Sequence, residues 1–327
     1  MQTPVFLDQL PDVSSVVSQK SGQYRHQRNR ALLDLLLAGR LGWKTRIVCP
    51  CCGQDRTKSR SFSQTFMDFQ RCSDCNSIYA AEVPPQNVLD ELRLKQVAAV
   101  DLGRDREFEF VSLLNWISLT EARLERSLAC ILDVRFCTQA LGWQDTVKRQ
   151  GGNRTWQFLP LTSDGGEFRD LKDKLQRSKP SAVLIPAEMD RIAEPALLLQ
   201  VIRENTVAGT ILFIASSCAD GLEYEILGAD SPSFIPLDRL TVFSIQGFKN
   251  LAQKTGFKIL ETSTPGRFDA VILERYFKSA ENADIPFWSN FFREADKNRL
   301  HDLQILLQRS LKSGVLRFVL ETELDQQ

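Results

Sequence analysis

Apolar residues recur along this chain in two rhythms. At 28–40, Leu32, Leu33, Leu36 and Leu37 share a helical face, with Gly39 and Gly42 to end it. Val88 opens another helix after the break at Val83-Pro84-Pro85, and helical spacing returns at 108–128 through Leu113, Leu114, Ile117, Leu124 and Leu128. From there short apolar runs alternate with amphipathic stretches. Strands are predicted at Ile131–Val134, Thr155–Leu159, Ala182–Ile185, Thr210–Ile214, Phe257–Leu260 and Ala270–Leu273. Helices are predicted at Phe168–Leu175, Ala196–Arg203, Phe248–Thr255 and 297–312.

Strands alternating with helices of about ten residues predict a doubly wound α/β fold with a parallel sheet. A chain of 327 residues has room for more than one unit. The pattern divides it into a polar lead-in (1–27) and helix within 1–45, a cysteine-rich unit at 46–82, a helical connector at 83–128, the α/β domain at 129–280 and a C-terminal helical segment at 281–327. Along the closing helix, Leu300, Leu303, Leu307 and Leu311 form a stripe that packs on the same domain or on a second copy.

Charge narrows the partners. The formal net charge is zero, so no global field favours nucleic acid or a membrane. Residues 1–80 carry 11 Lys and Arg against 6 Asp, a bias of +5. The basic run Arg56-Thr-Lys-Ser-Arg60 is read as a solvated loop before a phosphate contact, because nucleic-acid binding needs a denser patch. No apolar stretch approaches the ~20 residues of a membrane helix, and the first residues lack a secretory pattern. A cytoplasmic protein is expected, where grouped cysteines point to metal or catalysis before disulfides.

Those cysteines supply the clearest chemistry. Cys49-Pro-Cys-Cys52 and Cys72-Ser-Asp-Cys75 stand nineteen residues apart, as C-x2-C…C-x2-C. Zinc takes four such sulfurs in a tetrahedron, and a closed four-sulfur site is structural. Gly53 suits the left-handed turn after the first pair, and Asn76 holds the matching place after the second. The ligands are therefore Cys49, Cys52, Cys72 and Cys75, with Cys51 the alternative to Cys52. Cys130, Cys137 and Cys218 read as small buried hydrophobes. Trp143, Trp156 and Trp288 read as core or interface anchors.

Several segments, in order, resemble class I SAM-dependent methyltransferases that carry an N-terminal zinc ribbon, of the sugar and small-molecule type. Ile131-Leu-Asp-Val-Arg-Phe-Cys-Thr-Gln139 is similar to the family's motif I, ILDVGCGTG. Ala80–Pro85, Glu188–Pro195, Val207–Leu212, Asp220–Gly228, Leu240–Leu251 and Thr264–Asp269 resemble further family segments, the last two running through Thr255–Leu260. The resemblance spans roughly 46–275. It implies a Rossmann-like methyltransferase-type sheet, a SAM cofactor, and contacts to SAM from Asp133, Arg135, Cys137 and Gln139. It places Tyr224, Asp190 and Arg239 in the reaction pocket.

The departures point the other way. Arg135, Cys137 and Gln139 replace three glycines whose backbone approaches the cofactor. Phe158–Leu161 ends the second strand without the acid that holds a ribose; Asp164 and Glu167 are close but misplaced. Only about twenty residues separate Leu161 from the strand at Ala182, too few for the family's extra helix-and-strand pair. Arg191 and Arg239 stand where the family has histidines, and arginine cannot accept a proton. The expectation is a degenerate methyltransferase-like protein with weak or no SAM binding, acting through a small-molecule, sugar-type or protein partner or as a homodimer. The alternatives are an active SAM-dependent methyltransferase on a sugar, nucleotide-sugar or other small acceptor, and a nucleic-acid-binding zinc-ribbon protein.

Overall fold

The computed structural model describes residues 16–40, 42–64, 66–97, 107–136, 143–162, 167–231, 233–235, 237–279 and 285–323. Cys137 and Gln139 therefore lie outside the described residues, as does Asp164.

The main body is a six-stranded sheet ordered β11-β12-β9-β8-β6-β7. Its members are β6 (Cys130–Arg135), β7 (Thr155–Pro160), β8 (Ala182–Ile185), β9 (Ile211–Ser217), β11 (Phe257–Ser263) and β12 (Val315–Thr322). Strands β7, β6, β8 and β9 pair in parallel, while β12 runs antiparallel between β9 and β11. Helices α4 (Trp143–Gln150), α5 (Arg169–Ser178), α6 (Pro195–Asn205) and α8 (Ile245–Lys254) supply the crossovers. The mixed, mostly parallel, doubly wound α/β fold is thus the one expected. Its central strands are buried on both faces: every residue of β8 is buried, as are the first six of β9. Helices cover both sides, which is why these strands read as unbroken apolar runs. Between β7 and β8 the described residues hold the single helix α5, and β7 is an edge strand.

One element differs in kind. Ala270–Leu273, expected as a strand, lies in helix α9 (Asp269–Ser279). Ala270, Leu273 and Phe277 are its buried apolar residues, a helical spacing that a four-residue apolar run is too short to reveal. The antiparallel strand comes from the C-terminal segment instead: Leu316, Phe318, Val319 and Leu320 of β12 are buried in the sheet. Before it, α10 (Pro286–Glu294) and α11 (Lys297–Arg309) pack on α9, and Leu300, Leu303 and Leu307 face this layer. Leu311 falls beyond α11 with a φ of 57°.

Towards the N-terminus, α1 (Val16–Leu37) begins well before the expected 28. The cysteine unit contains β1 (Lys44–Thr45), β2 (Arg60–Gln64), β3 (Met67–Arg71), β4 (Ile78–Ala80) and β5 (Glu82–Val83). It is followed by α2 (Gln86–Val97) and α3 (Glu107–Leu124). The unit is not a free-standing module. Its sheet, β2-β3-β4, is completed by β10 (Thr241–Val242), which lies after α7 (Leu222–Leu227) in the α/β domain. Among the described residues no helix is long and apolar enough to cross a membrane.

Candidate metal centre and the carboxyl end of the sheet

Two equivalent turns bring the four cysteines together. In the first, Gly53 N–H donates to Cys49 C=O (2.9 Å) and Cys49 N–H to Gln54 C=O (2.8 Å). In the second, Asn76 N–H donates to Cys72 C=O (3.0 Å) and Cys72 N–H to Ser77 C=O (2.9 Å). Gly53 and Asn76 hold φ of 81° and 63°, the left-handed conformation expected of both. Asn76 is further fixed by Arg71 Nη1, which donates to its Oδ1 at 3.0 Å.

The Sγ atoms of Cys49, Cys52, Cys72 and Cys75 all lie within 4.8 Å of one another. Cys49 and Cys75 are 3.7 Å apart, and Cys52 and Cys72 3.5 Å. A tetrahedral ion with 2.3 Å bonds to sulfur puts its ligands about 3.8 Å apart, so the set fits zinc. Cys51 is buried beside this group but is not part of it; the two-residue spacing turns Cys52 inward instead.

The α/β domain closes around this centre. Ser244, the N-cap of α8, accepts from Gly247 N–H (2.8 Å) and donates to Cys75 C=O, while its own N–H donates to Ser77 Oγ (3.0 Å). Lys254, at the other end of α8, donates to Cys52 C=O. Asp220 bridges the two parts: one carboxylate oxygen accepts from Asn76 Nδ2 (3.1 Å) and the other from Ile245 N–H (2.7 Å). Arg46, fully buried, donates to Leu240 C=O (2.9 Å), Thr241 Oγ1 (3.2 Å) and Ala193 C=O. Burial pushes its guanidinium down to about 10. Sequence reasoning placed the ligands but missed Arg46, Asp220 and Lys254, whose partners are distant in the chain.

Gly247 marks the tightest approach. A Cβ there would sit 2.0 Å from Ser77 Oγ, 2.9 Å from Ser244 Oγ and 3.2 Å from Cys75 Sγ. Both hydroxyls are held by the cap, so neither can simply rotate away. Gly247→Ala is expected to cost about 1–3 kcal/mol by overpacking and to speed loss of metal, measured by thermal melts and by transfer to a chromophoric chelator.

The second cluster lies where the parallel strands end, the side on which doubly wound folds bind ligands. Arg135 Nε donates to Asp133 Oδ1 and Oδ2 at 2.8 and 2.9 Å. Trp143 Nε1 donates to the same carboxylate, and the Arg135 guanidinium lies 4.6 Å from the Trp143 ring centre. Both charged residues are buried, and Arg135 Nη2 has no hydrogen-bond partner. Burial raises the Asp133 carboxyl above its ordinary range despite Arg135 and Trp143. Glu188, also buried and raised by burial, feels the charges of Arg135 and Arg191.

The other predicted pocket residues meet next to it. Arg239 Nη1 donates to Asp190 Oδ2 at 2.5 Å, as do Ser217 N–H (3.2 Å) and Oγ (2.9 Å). Burial disfavours the Arg239 charge, but Asp190 and Asp238 outweigh it and raise the group. Tyr224 is buried beside them and its phenol is pushed up by burial. Asp190 Oδ1 is buried without a hydrogen-bond partner. Asp238 extends the set, pairing with Arg191 and with Arg28 of α1, both at 3.3 Å. No sequence signal links Arg28 to a residue 210 positions away. Glu167, the displaced acid, is exposed and pairs with Arg169 at 2.6 Å.

A third group holds the joint between the sheet and its C-terminal layer. Asp269 accepts from Ser313 Oγ (2.6 Å), Gly314 N–H (2.5 Å) and Gln304 Nε2 (2.8 Å). Nearby Glu223 accepts from Ser231 Oγ at 2.5 Å and is pushed up to about 7, first by burial and then by Asp269. Its folded value exceeds the unfolded one, near 4.5. The resulting stability is full below about pH 4.5 and is lost as pH rises through 7. Glu223→Gln should remove that slope, worth on the order of 3 kcal/mol, in denaturant melts between pH 4.5 and 8.

No family model matches this chain, and no curated protein matches it. Among solved structures it is similar to the plantazolicin methyltransferase BpumL in complex with a monoazolic desmethylPZN analog and SAH, at 14% identity and a TM-score of 0.43, over 73% of this chain and 96% of that one. It is also similar to coclaurine N-methyltransferase bound to N-methylheliamine and SAH, at 13% identity and a TM-score of 0.36, over 65% and 72%. A third is the mycolic acid cyclopropane synthase CmaA1 complexed with SAH and CTAB, at 12% identity and a TM-score of 0.35, over 63% and 84%.

Proposed function

We infer that this chain is a methyltransferase-like protein whose cofactor end is closed by its own side chains, and that it acts by binding, with a structural zinc ion in its ribbon. The observation that carries the reading is Arg135 folded onto Asp133 beneath Trp143. By the sequence resemblance, Arg135 stands in the place of the first glycine of the cofactor loop, where a nucleoside cofactor needs bare backbone. A buried guanidinium and a stacked indole take that volume, and the Asp133 carboxylate is spent on them. β7 ends in Leu159-Pro160, which offers no carboxylate for a ribose. Among the described residues these features support a site that does not take SAM.

Chemistry in the neighbouring cluster supports binding over transfer. Arg239 stays charged, the Tyr224 phenol stays protonated, and Asp190 is held by three donors. Neither Arg239 nor Tyr224 can therefore take a proton near neutral pH. What the cluster offers is a set of buried polar contacts beside Asp190 Oδ1.

Calorimetric titration of the zinc-loaded protein with SAM and with SAH tests the reading. No saturable heat is expected for either. A dissociation constant in the low micromolar range for SAM would overturn it and favour an active methyltransferase with an altered pocket.

A further inference from the structure

Among the described residues, strand β7 ends the sheet with an unpaired edge. Thr155 N–H donates to Ala129 C=O and Leu161 N–H to Arg135 C=O, so the odd-numbered residues turn their backbone groups towards β6. By alternation, the N–H and C=O of Trp156 and Phe158, and the C=O of Pro160, point outward. Among the described residues no strand pairs with them. The six residues are all exposed or half-buried and none is charged. Trp156 stacks along Phe158 at 6.4 Å and meets Trp143 edge-on at 5.6 Å, so the edge carries an aromatic stripe.

The opposite edge is built differently. β11 carries Lys258, whose side chain is exposed, and its pairing is broken by an irregularity at Ile259/Glu261. A lysine and a bulge are devices that keep an edge from pairing with another chain. β7 has neither, apart from Pro160 at its end.

The surrounding charges indicate what fits there. Helices α4 and α5 enter and leave β7 on opposite faces of the sheet: Trp143 and Val147 pack in one core layer, Leu171 and Leu175 in the other. Each is acidic in its first turn and basic in its last, with Asp145 against Lys148 and Arg149 in α4, and Asp170 against Arg177 in α5. A two-fold axis normal to the sheet runs each helix antiparallel to its own copy. That sets the acidic start of one against the basic end of the other on both faces, and runs β7 antiparallel to β7.

We propose that the open edge of β7 pairs with β7 of a second copy of this chain, forming an isologous dimer with a sheet continuous across the axis. The dimer is independent of whether a cofactor binds.

Sedimentation velocity over a micromolar concentration series reads it directly, with the wild type passing from monomer to dimer. Gln157→Lys places like charges on the facing strands and is expected to raise the dissociation constant about tenfold or more, equivalent to about 1.4 kcal/mol. The exposed pair Lys148→Glu with Arg149→Glu, which leaves β7 untouched, should also weaken the dimer, and adding Asp145→Lys should restore it. A wild type that stays monomeric throughout the series overturns the proposal. So does a dimer unchanged by both the strand variant and the charge reversal.

Discussion

Removing a metal held by the four cysteines should loosen the α/β domain as well as the cysteine unit. Structural zinc sites contribute roughly 10–16 kcal/mol of apparent binding free energy, as much as a whole domain's stability of about 5–15 kcal/mol. Here the site is fastened to the domain through Ser244, Asp220 and Lys254, and β10 is a strand of the ribbon sheet. Chelation, or Cys75→Ser, is therefore expected to release the Thr241–Val242 strand and the first turn of α8 along with residues 46–83. Hydrogen exchange followed by mass spectrometry, with metal content measured alongside, checks this. Protection at 241–248 that survives complete loss of one zinc per chain would show that the domain does not depend on the site.

The second large effect is expected at Arg135. Removing one partner of a buried ion pair leaves an uncompensated charge and costs about 3–5 kcal/mol. Arg135→Gly, which restores the residue type of the resembled motif, should therefore destabilise the protein by that order. The deficit has a definite pH dependence. Asp133 is already raised by burial in the folded state, and losing Arg135 raises it further. The contribution is full below the unfolded value, near 3.8, and is lost as pH rises through the folded one. The variant should approach wild-type stability in acid and fall away from it towards neutrality. Urea melts across that range measure it, and a deficit independent of pH would contradict the ion-pair account. Introducing this glycine is not expected to add SAM binding, because Trp143 and the acid-free end of β7 remain.

The segments that resemble the family and the position that departs from its motif sit in different places. Asp220, Ser244 and Asp269 fall in family-like segments, and each holds a joint between layers. Arg135, which departs from the resembled motif, lies at the strand ends, where it pairs with Asp133.

By itself the sequence determined the local features. The Cys-x2-Cys spacing with Gly53 and Asn76 specified both turns, because a metal knuckle is built within six residues. Apolar runs bounded by breaks located β6, β7, β8, β9 and β11, and β8 and β9 read as unbroken apolar runs because they are buried on both faces. Only the tertiary structure decided that Ala270–Leu273 is helical and that β12 takes the antiparallel place, since a four-residue apolar run fits either period. It alone joined Arg28 to Asp238, fused β10 to the ribbon and turned Arg135 back onto Asp133. The first two join residues far apart in the chain, and all three depend on which surfaces the folded chain brings together.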